Sequence, residues 1–291
     1  MPNIDTTDAS VERPGPTRHR VATGLGLAAV LVFVAALGGG LLYGRTKLVG
    51  IVLFAFVAMV AGVGIQQYSV LDTPLRRLWA YGLTSGAMLA SAAALLAPKA
   101  ILQHPEYGGF AIAFGYLSGY AGHELGHHLS HRSLPVNGTV AELTVHAMLA
   151  GSIMGVVYGT LPSLTPLFGY GIVAHKLPAG FSGAETLDRD DLPLVVMALP
   201  AAAVGLVAIP LSISTPALGS VIKALFYGVS TGVFAHVAID MIPECSGGGS
   251  GHGHGEVACG PQPDTQRRHA VFSTLSGAGA LFVVWQVLAA I

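Results

Sequence analysis

The chain of 291 residues has a formal net charge of −1, with 52% hydrophobic and only 10% charged residues. Soluble globular domains average about 25% charged residues, so this composition excludes an ordinary soluble domain. The near-neutral charge also argues against nucleic acid as a partner. Several mostly apolar runs reach the length of about 18 residues needed to cross a bilayer. We therefore expect an all-α polytopic protein in contact with the lipid bilayer.

The hydrophobic pattern predicts a polar, disordered cytoplasmic tail over residues 1–20 and a single transmembrane domain over residues 21–291. The first apolar run lacks a small-residue cleavage site, so we interpret it as a retained helix and not as a signal peptide. The least marked boundary lies between the first two helices. Nine helices are expected near 21–43, 48–66, 78–98, 108–131, 139–160, 164–187, 192–213, 217–243 and 270–291.

The basic residues between these helices predict the orientation of the chain, since they concentrate on the cytoplasmic side of a membrane. With the N-terminus inside, the outer segments hold only Arg45, Lys47 and Lys99. This distribution predicts a multi-pass protein of the plasma membrane with a cytoplasmic N-terminus and an outer C-terminus. The inner segments then hold Arg13, Arg18, Arg20, Arg76, Arg77, Arg132, Arg189, Arg267 and Arg268.

One long loop, residues 245–269, is rich in glycine and carries metal-binding residue types. We interpret it as a flexible inner linker whose ligands receive or sense a metal, with a plain solvated linker as the alternative. Its two cysteines are the only ones in the chain, so no disulfide framework is expected. The candidate ligands are Cys245, His252, His254, Glu256 and Cys259.

The third and eighth helices show a weak internal echo. Ser85-Gly86 precedes Pro98, and Thr231-Gly232 precedes Pro243. Corresponding interrupted helices in two halves are typical of inverted-repeat transporters. Chance similarity in a small alphabet is the alternative explanation.

Histidines and carboxylates recur within the apolar helices, where such residues are costly and usually mark an ion pathway. Imidazole suits zinc, iron, copper and nickel, and carboxylates balance the charge of the metal. For any single histidine, a hydrogen bond in a packed core is the simpler explanation. The set comprises His123, Glu124, His127, His128 and His131 on the fourth helix, Glu142 and His146 on the fifth, His175 on the sixth, and His236, Asp240 and Glu244 on the eighth.

The segment from Ala174 to Gly180 is the most informative stretch, because it holds His175, Lys176 and Pro178 inside an apolar run. A proline inside a helix leaves the carbonyl of residue 174 without its donor and kinks the helix. The freed carbonyl could then serve as an oxygen ligand beside His175.

The string His123-Glu124-Leu125-Gly126-His127 is also an HExxH motif. In metalloproteases the two histidines bind zinc and the glutamate is the general base. An intramembrane zinc protease is therefore an alternative function, although no second zinc-protease signature follows downstream. We otherwise do not expect an enzyme.

Four segments in order resemble the ZIP (Zrt/Irt-like) family of divalent metal transporters. The segment His175-Lys176-Leu177-Pro178-Ala179-Gly180 resembles that family's H-K-x-P-E-G helix, and the helix of His146 resembles its H-[NS]-x-x-D-G helix. The stretch 230–244, which ends Asp240-Met241-Ile242-Pro243-Glu244, is similar to its penultimate helix, and 85–98 to an early one. The resemblance covers residues 48–291. It implies a ZIP-like bundle of eight helices plus one leading helix, in agreement with the orientation given by the charges.

The chain departs from the family pattern at the metal-binding carboxylates. The resemblance implies acidic residues at positions 150 and 179, where this chain has Ala150 and Ala179. A two-metal site therefore cannot form in its usual shape, whereas one site based on His146 and His175 is retained. Two neutral imidazoles compensate the charge of a divalent cation poorly, so the missing charge must come from elsewhere. The candidates are Glu142, His236, Asp240, His123 and Glu124, with Met88 and Met148 as soft ligands. Lys176 is expected to be either neutral or paired, with Asp240 as its candidate partner.

These observations predict transport of a divalent metal ion as substrate, Zn²⁺ or Fe²⁺ first, or another late transition metal. The ion would bind His146 and His175 in mid-membrane and leave past His123, His127 and His131. Because imidazoles bind metals only when neutral, uptake should weaken as pH falls through the imidazole range. A membrane metal sensor without flux is the third reading, and a homodimer is left open.

Overall fold

The computed structural model describes residues 16–68, 73–130, 138–161, 166, 169, 175–216, 218–246, 256–258 and 263–290. Most of them are helical. A π-helical turn, Ala92–Leu96, joins α3 to α4, and a 3₁₀ turn, Leu194–Met197, leads into α8. The α-helices are α1 (Pro16–Leu42), α2 (Thr46–Gln67), α3 (Pro74–Ser91), α4 (Ala97–Gln103), α5 (Pro105–Ser130), α6 (Gly138–Thr160), α7 (Lys176–Arg189), α8 (Ala198–Ser214), α9 (Ser220–Asp240) and α10 (Pro263–Ala290).

The protein is an all-α polytopic membrane protein. Within the described residues, seven helices are long and apolar enough to cross a membrane. Since α3, the π-helical turn and α4 form one continuous rod, the described chain contains nine rods, which match the nine predicted helices. The predicted boundary between the first two helices is confirmed, because α1 ends at Leu42 and the chain turns at Gly44 with a φ of +70°.

Several details differ from the prediction. Helix α1 begins at Pro16, within the predicted disordered tail, and α10 begins at Pro263, within the predicted loop. The third rod runs to Gln103, five residues beyond the predicted end. The π-helical turn before Pro98 lets the helix continue past the proline, where the prediction placed its end. The sixth helix is described from Lys176 onward, and of residues 162–174 only 166 and 169 are described. Two three-residue strands, β1 (Glu244–Ser246) and β2 (Glu256–Ala258), pair in parallel within the segment predicted as a linker.

The helices pack into two groups. The first helix group contains α1, α2, α6, α7 and α8, and the second helix group contains α3, α4, α5, α9 and α10. The most extensive contacts are α6 with α8 and α2 with α7 in the first group, and α5 with α9 and α3 with α10 in the second. Between the groups, α6 touches α5 and α9, and α3 touches α7.

The contact pattern has an internal symmetry. Exchanging α2 with α8, α3 with α9, α5 with α10 and α6 with α7 converts the α3–α10 pair into α9–α5 and the α2–α7 pair into α8–α6. Two three-helix repeats, α2 to α5 and α8 to α10, are expected to give this pattern. The echo between the third and eighth helices therefore coincides with equivalent positions in the packing.

The echoed glycines make equivalent contacts. A Cβ atom at Gly86 of α3 would lie 2.8 Å from the backbone nitrogen of Ala278 in α10. A Cβ atom at Gly232 of α9 would lie 2.7 Å from the carbonyl carbon of Gly115 in α5. Small residues let membrane helices approach closely in this way. The two echoed helices also touch each other, since the Ser85 hydroxyl donates to the carbonyl of Ala238 at 2.6 Å.

Candidate functional site

Helices α6 and α7 bring two of the predicted histidines together inside the first helix group. The ring centroids of His146 and His175 are 5.5 Å apart, and the ring planes make an angle of 79°. His175 is 1% exposed, and His146 is half-buried with a buried Nε2 atom. Two imidazoles bound to one tetrahedral zinc through bonds of 2.0–2.1 Å have ring centres about 5 Å apart. The pair therefore has a spacing that fits two ligands of one metal ion.

The start of α7 determines where His175 lies. His175 occupies the N-cap position, and α7 begins at Lys176, so Pro178 stands in the first helical turn. A proline there sacrifices no intrahelical hydrogen bond, because the first N–H groups of a helix have no intrahelical acceptor. The predicted kink and the freed carbonyl of residue 174 fall on residues outside the described part of the chain, so both stay predictions.

Close contact with α2 fixes α7 in place. A Cβ atom at Gly62 would lie 2.8 Å from the backbone nitrogen of Phe181, and one at Gly180 would lie 2.9 Å from the carbonyl carbon of Met59. The two helices thus pack backbone against backbone. On another side, Gly183 lies against side-chain atoms of Leu143 on α6 and of Met197.

The positions one turn beyond each histidine are apolar. Ala150 is buried on the helix of His146, and Ala179 is partly buried on the helix of His175. Among the described side chains, no group of three or more histidine, cysteine, aspartate or glutamate residues is close enough to hold a metal. In this part of the chain, the site consists of the histidine pair.

Lys176, the residue after His175, is 1% exposed. Its Nζ atom has no hydrogen-bond partner within the described residues. The predicted pairing of Lys176 with Asp240 is therefore wrong, because Asp240 lies at the end of α9 in the other helix group. A buried lysine side chain therefore lies directly after His175 in the sequence.

His236 lies in the second helix group, against α5. Its ring meets Tyr116 edge-on at a centroid distance of 5.4 Å and Tyr120 at 6.4 Å, and its side chain covers Gly119. Among the described side chains, His236 and Asp240 do not form one group with His146 and His175, and the ring of His236 packs against α5.

The two methionines proposed as soft ligands lie on helices of different groups, Met88 on α3 and Met148 on α6. Met148 is 46% exposed. It lies two positions after His146, and residues two positions apart lie on nearly opposite faces of a helix. Met88, on α3, is buried in the hydrophobic core of the protein. The structure therefore corrects the suggestion that Met148 completes the site.

Several predicted ligands have side chains outside the described part of the chain. The backbone is described at five of these positions, three in α5, one in α6 and one in β1. Their roles stay predictions. They are His123, Glu124, His127, Glu142, Cys245, His252, His254 and Cys259.

The structure also reveals a contact that the sequence interpretation missed. Arg77 of α3 lies over the ring of Phe181 in α7, with its guanidinium carbon 5.1 Å from the centroid, and its Nη1 atom is 3.5 Å from an oxygen of Glu185. From the sequence, Arg77 was interpreted only as one of the positive charges that predict which side of the membrane is cytoplasmic. The sequence did contain one signal, because Glu185, a potential ion-pair partner for an arginine, lies on the same predicted helix as His175.

No protein-family model matches this chain, and no curated protein is significantly similar to it. The findings therefore establish an all-α polytopic membrane protein with a closely spaced histidine pair between two of its helices.

Proposed function

We propose that this protein transports a divalent metal ion, Zn²⁺ or Fe²⁺, across the membrane through a site based on His146 and His175. The observation that carries the proposal is the spacing of these two rings, 5.5 Å between centroids, on facing helices within the membrane domain. A histidine in such a place is expected to serve an ion or proton pathway. The resemblance to the ZIP family supports the same function.

The two helix groups supply a physical basis for transport. Both histidines belong to the first group, so the site would stay fixed while the second group moves against the helices that carry it. Transporters built from repeats commonly work by rocking one set of helices against the other around a fixed site. We propose that the ion enters from the outer side, binds between α6 and α7, and leaves toward the side of the N-terminus.

The proposal is tested by reconstituting the purified protein in liposomes that contain a trapped fluorescent chelator. Zn²⁺ or Fe²⁺ added outside should raise the signal above that of protein-free liposomes. The absence of influx for every divalent ion, in vesicles whose protein is shown to be folded and correctly inserted, would contradict transport.

A metal sensor is the second candidate, and the alanines at positions 150 and 179 favour it. A site without carboxylates leaves the charge of a divalent ion uncompensated in a low-dielectric interior, which lowers the affinity. A sensor would bind zinc saturably, without flux. Calorimetry in detergent together with the liposome assay separates the two functions.

Introducing the carboxylates tests the geometry of the site. In an Ala150→Asp/Ala179→Glu variant, each new side chain stands one turn beyond a histidine and on the same face. We expect zinc to bind at least about tenfold more tightly, equivalent to about 1.4 kcal/mol, because the anions compensate the charge of the metal. Titration calorimetry measures this change.

The matched control replaces the same alanines with neutral amides, Ala150→Asn/Ala179→Gln. These side chains have nearly the same volume but no charge, so the tighter binding should be absent. Equal affinities of the acidic and amide variants would show that positions 150 and 179 do not face the bound ion.

A further inference from the structure

A cluster of aromatic and charged side chains joins the two helix groups at one end of α7. The Arg77 guanidinium stacks on Phe181 and pairs with Glu185, as described above. One turn from Arg77 on α3, the side chain of Tyr81 lies close to that of Ser182 on α7. We call these five residues, contributed by α3 and α7, the α3–α7 cluster.

The cluster combines buried and half-exposed parts. Phe181 is 3% exposed and Tyr81 is also buried, whereas the side chains of Arg77 and Glu185 are about one third exposed. An exposed ion pair alone contributes little to stability. Stacking of the guanidinium on a buried aromatic ring adds a cation–π attraction and excludes water from the helix contact.

The cluster begins along α7 at Phe181, six residues or about 9 Å beyond His175. Glu185 follows His175 by ten residues, or about 15 Å along α7. In the other direction, Thr160 follows His146 by fourteen residues, or about 21 Å along α6. There the hydroxyls of Thr160 and Tyr227 are 3.2 Å apart, which links α6 to α9.

The two links therefore lie on opposite sides of the histidine pair. The helices α6 and α7 run antiparallel, because Gly183 lies beside Leu143 while His175 lies beside His146. Each link crosses from the first helix group to the second. A relative movement of the groups that opens one end must break the link at that end.

We propose that the α3–α7 cluster is a latch that holds the two helix groups together at the end bearing Arg76, Arg77 and Arg189, and that its release opens this end to water. Arg77 is the principal element, since it makes both the stacking contact and the ion pair. The existence of the latch is independent of what the protein transports. Its use in releasing a metal ion rests on the proposed function.

A cysteine at position 182 reports on the latch directly. Ser182 lies close to Tyr81 across the helix interface and differs from cysteine by one atom. With Cys245 and Cys259 replaced by serine, Ser182→Cys is the only thiol in the chain. Arg77→Gln should raise its rate of reaction with a water-soluble maleimide by about three- to thirtyfold, the factor that corresponds to losing a cation–π contact and an ion pair.

Two further variants separate the latch from a general effect of charge. Arg76→Gln removes the same charge from the neighbouring residue and should leave the labelling rate unchanged. Glu185→Gln removes the ion pair but keeps the stacking on Phe181, so its effect should be smaller than that of Arg77→Gln. Equal rates for Arg77→Gln and Arg76→Gln, with both proteins monodisperse and helical by circular dichroism, would overturn the proposal.

Labelling without metal keeps this test separate from that of transport. If Arg77→Gln accelerates labelling but no variant carries zinc, the latch stands and the transport proposal fails. If zinc influx depends on His146 and His175 but labelling ignores Arg77, transport stands and the latch fails.

Discussion

Zinc influx into proteoliposomes is expected to fall to the level of protein-free liposomes when His146 and His175 are both replaced with alanine. The two rings are the described pair whose spacing fits one metal ion. Because positions 147, 150 and 179 are already alanine, no neighbouring carboxylate there can take over the ion. Each single variant should retain one ligand and lose most of the flux, and the double variant should lose all of it.

The control for this experiment removes two imidazoles elsewhere. His104 stands at the junction of α4 and α5, and His269 contacts Trp79 on α3, so both lie outside the pair. A His104→Ala/His269→Ala variant should therefore transport at nearly the rate of the unaltered protein. Undiminished influx in the His146→Ala/His175→Ala variant would disprove the assignment of the site.

The second large effect is expected at Gly62, where even one methyl group should disturb the position of α7. A Cβ atom at this residue would meet the Leu177 carbonyl oxygen and would lie 2.8 Å from the Phe181 nitrogen. Both are backbone atoms and cannot rotate away, so α2 and α7 must separate. Overpacking of this kind costs about 1–3 kcal/mol.

The thermal unfolding of Gly62→Ala in detergent measures this cost, and zinc binding measures its effect on the site. Because α7 carries His175, we expect a lower unfolding temperature together with weaker binding. Gly64 lies two residues further along α2 with nothing near its missing Cβ, so Gly64→Ala is the matched control. It should be neutral or stabilising by up to about 1 kcal/mol, the helix propensity that alanine gains over glycine. Equal behaviour of the two variants would contradict the close packing of α2 against α7.

The nine helices could be predicted from the sequence because bilayer thickness sets a minimum length for each apolar run. Backbone groups in lipid must bond within their own helix, so such runs have little structural choice. The ends of the rods were less predictable. The π-helical turn before Pro98 and the start of α7 at Lys176 depend on local backbone bonding that hydrophobicity does not encode.

The meeting of His146 and His175 could also be anticipated, because both belong to motifs on consecutive helices. The position of His236 could not. On a helix wheel it is as good a ligand as His175, but its orientation toward Tyr116 depends on which neighbour α9 packs against. The same holds for Lys176, whose predicted partner Asp240 belongs to the other helix group.

By itself, the sequence determined that this protein is an all-α membrane protein and identified two histidines that the fold brings together. These properties follow from residue hydrophobicity and from spacing along single helices, which are local quantities. Only the tertiary structure decided that α2 and α7 meet through Gly62 and Gly180, and that Arg77 lies on Phe181. Helix pairing in lipid depends on the fit of small residues between surfaces of similar apolarity, and that fit exists only once both helices are in place.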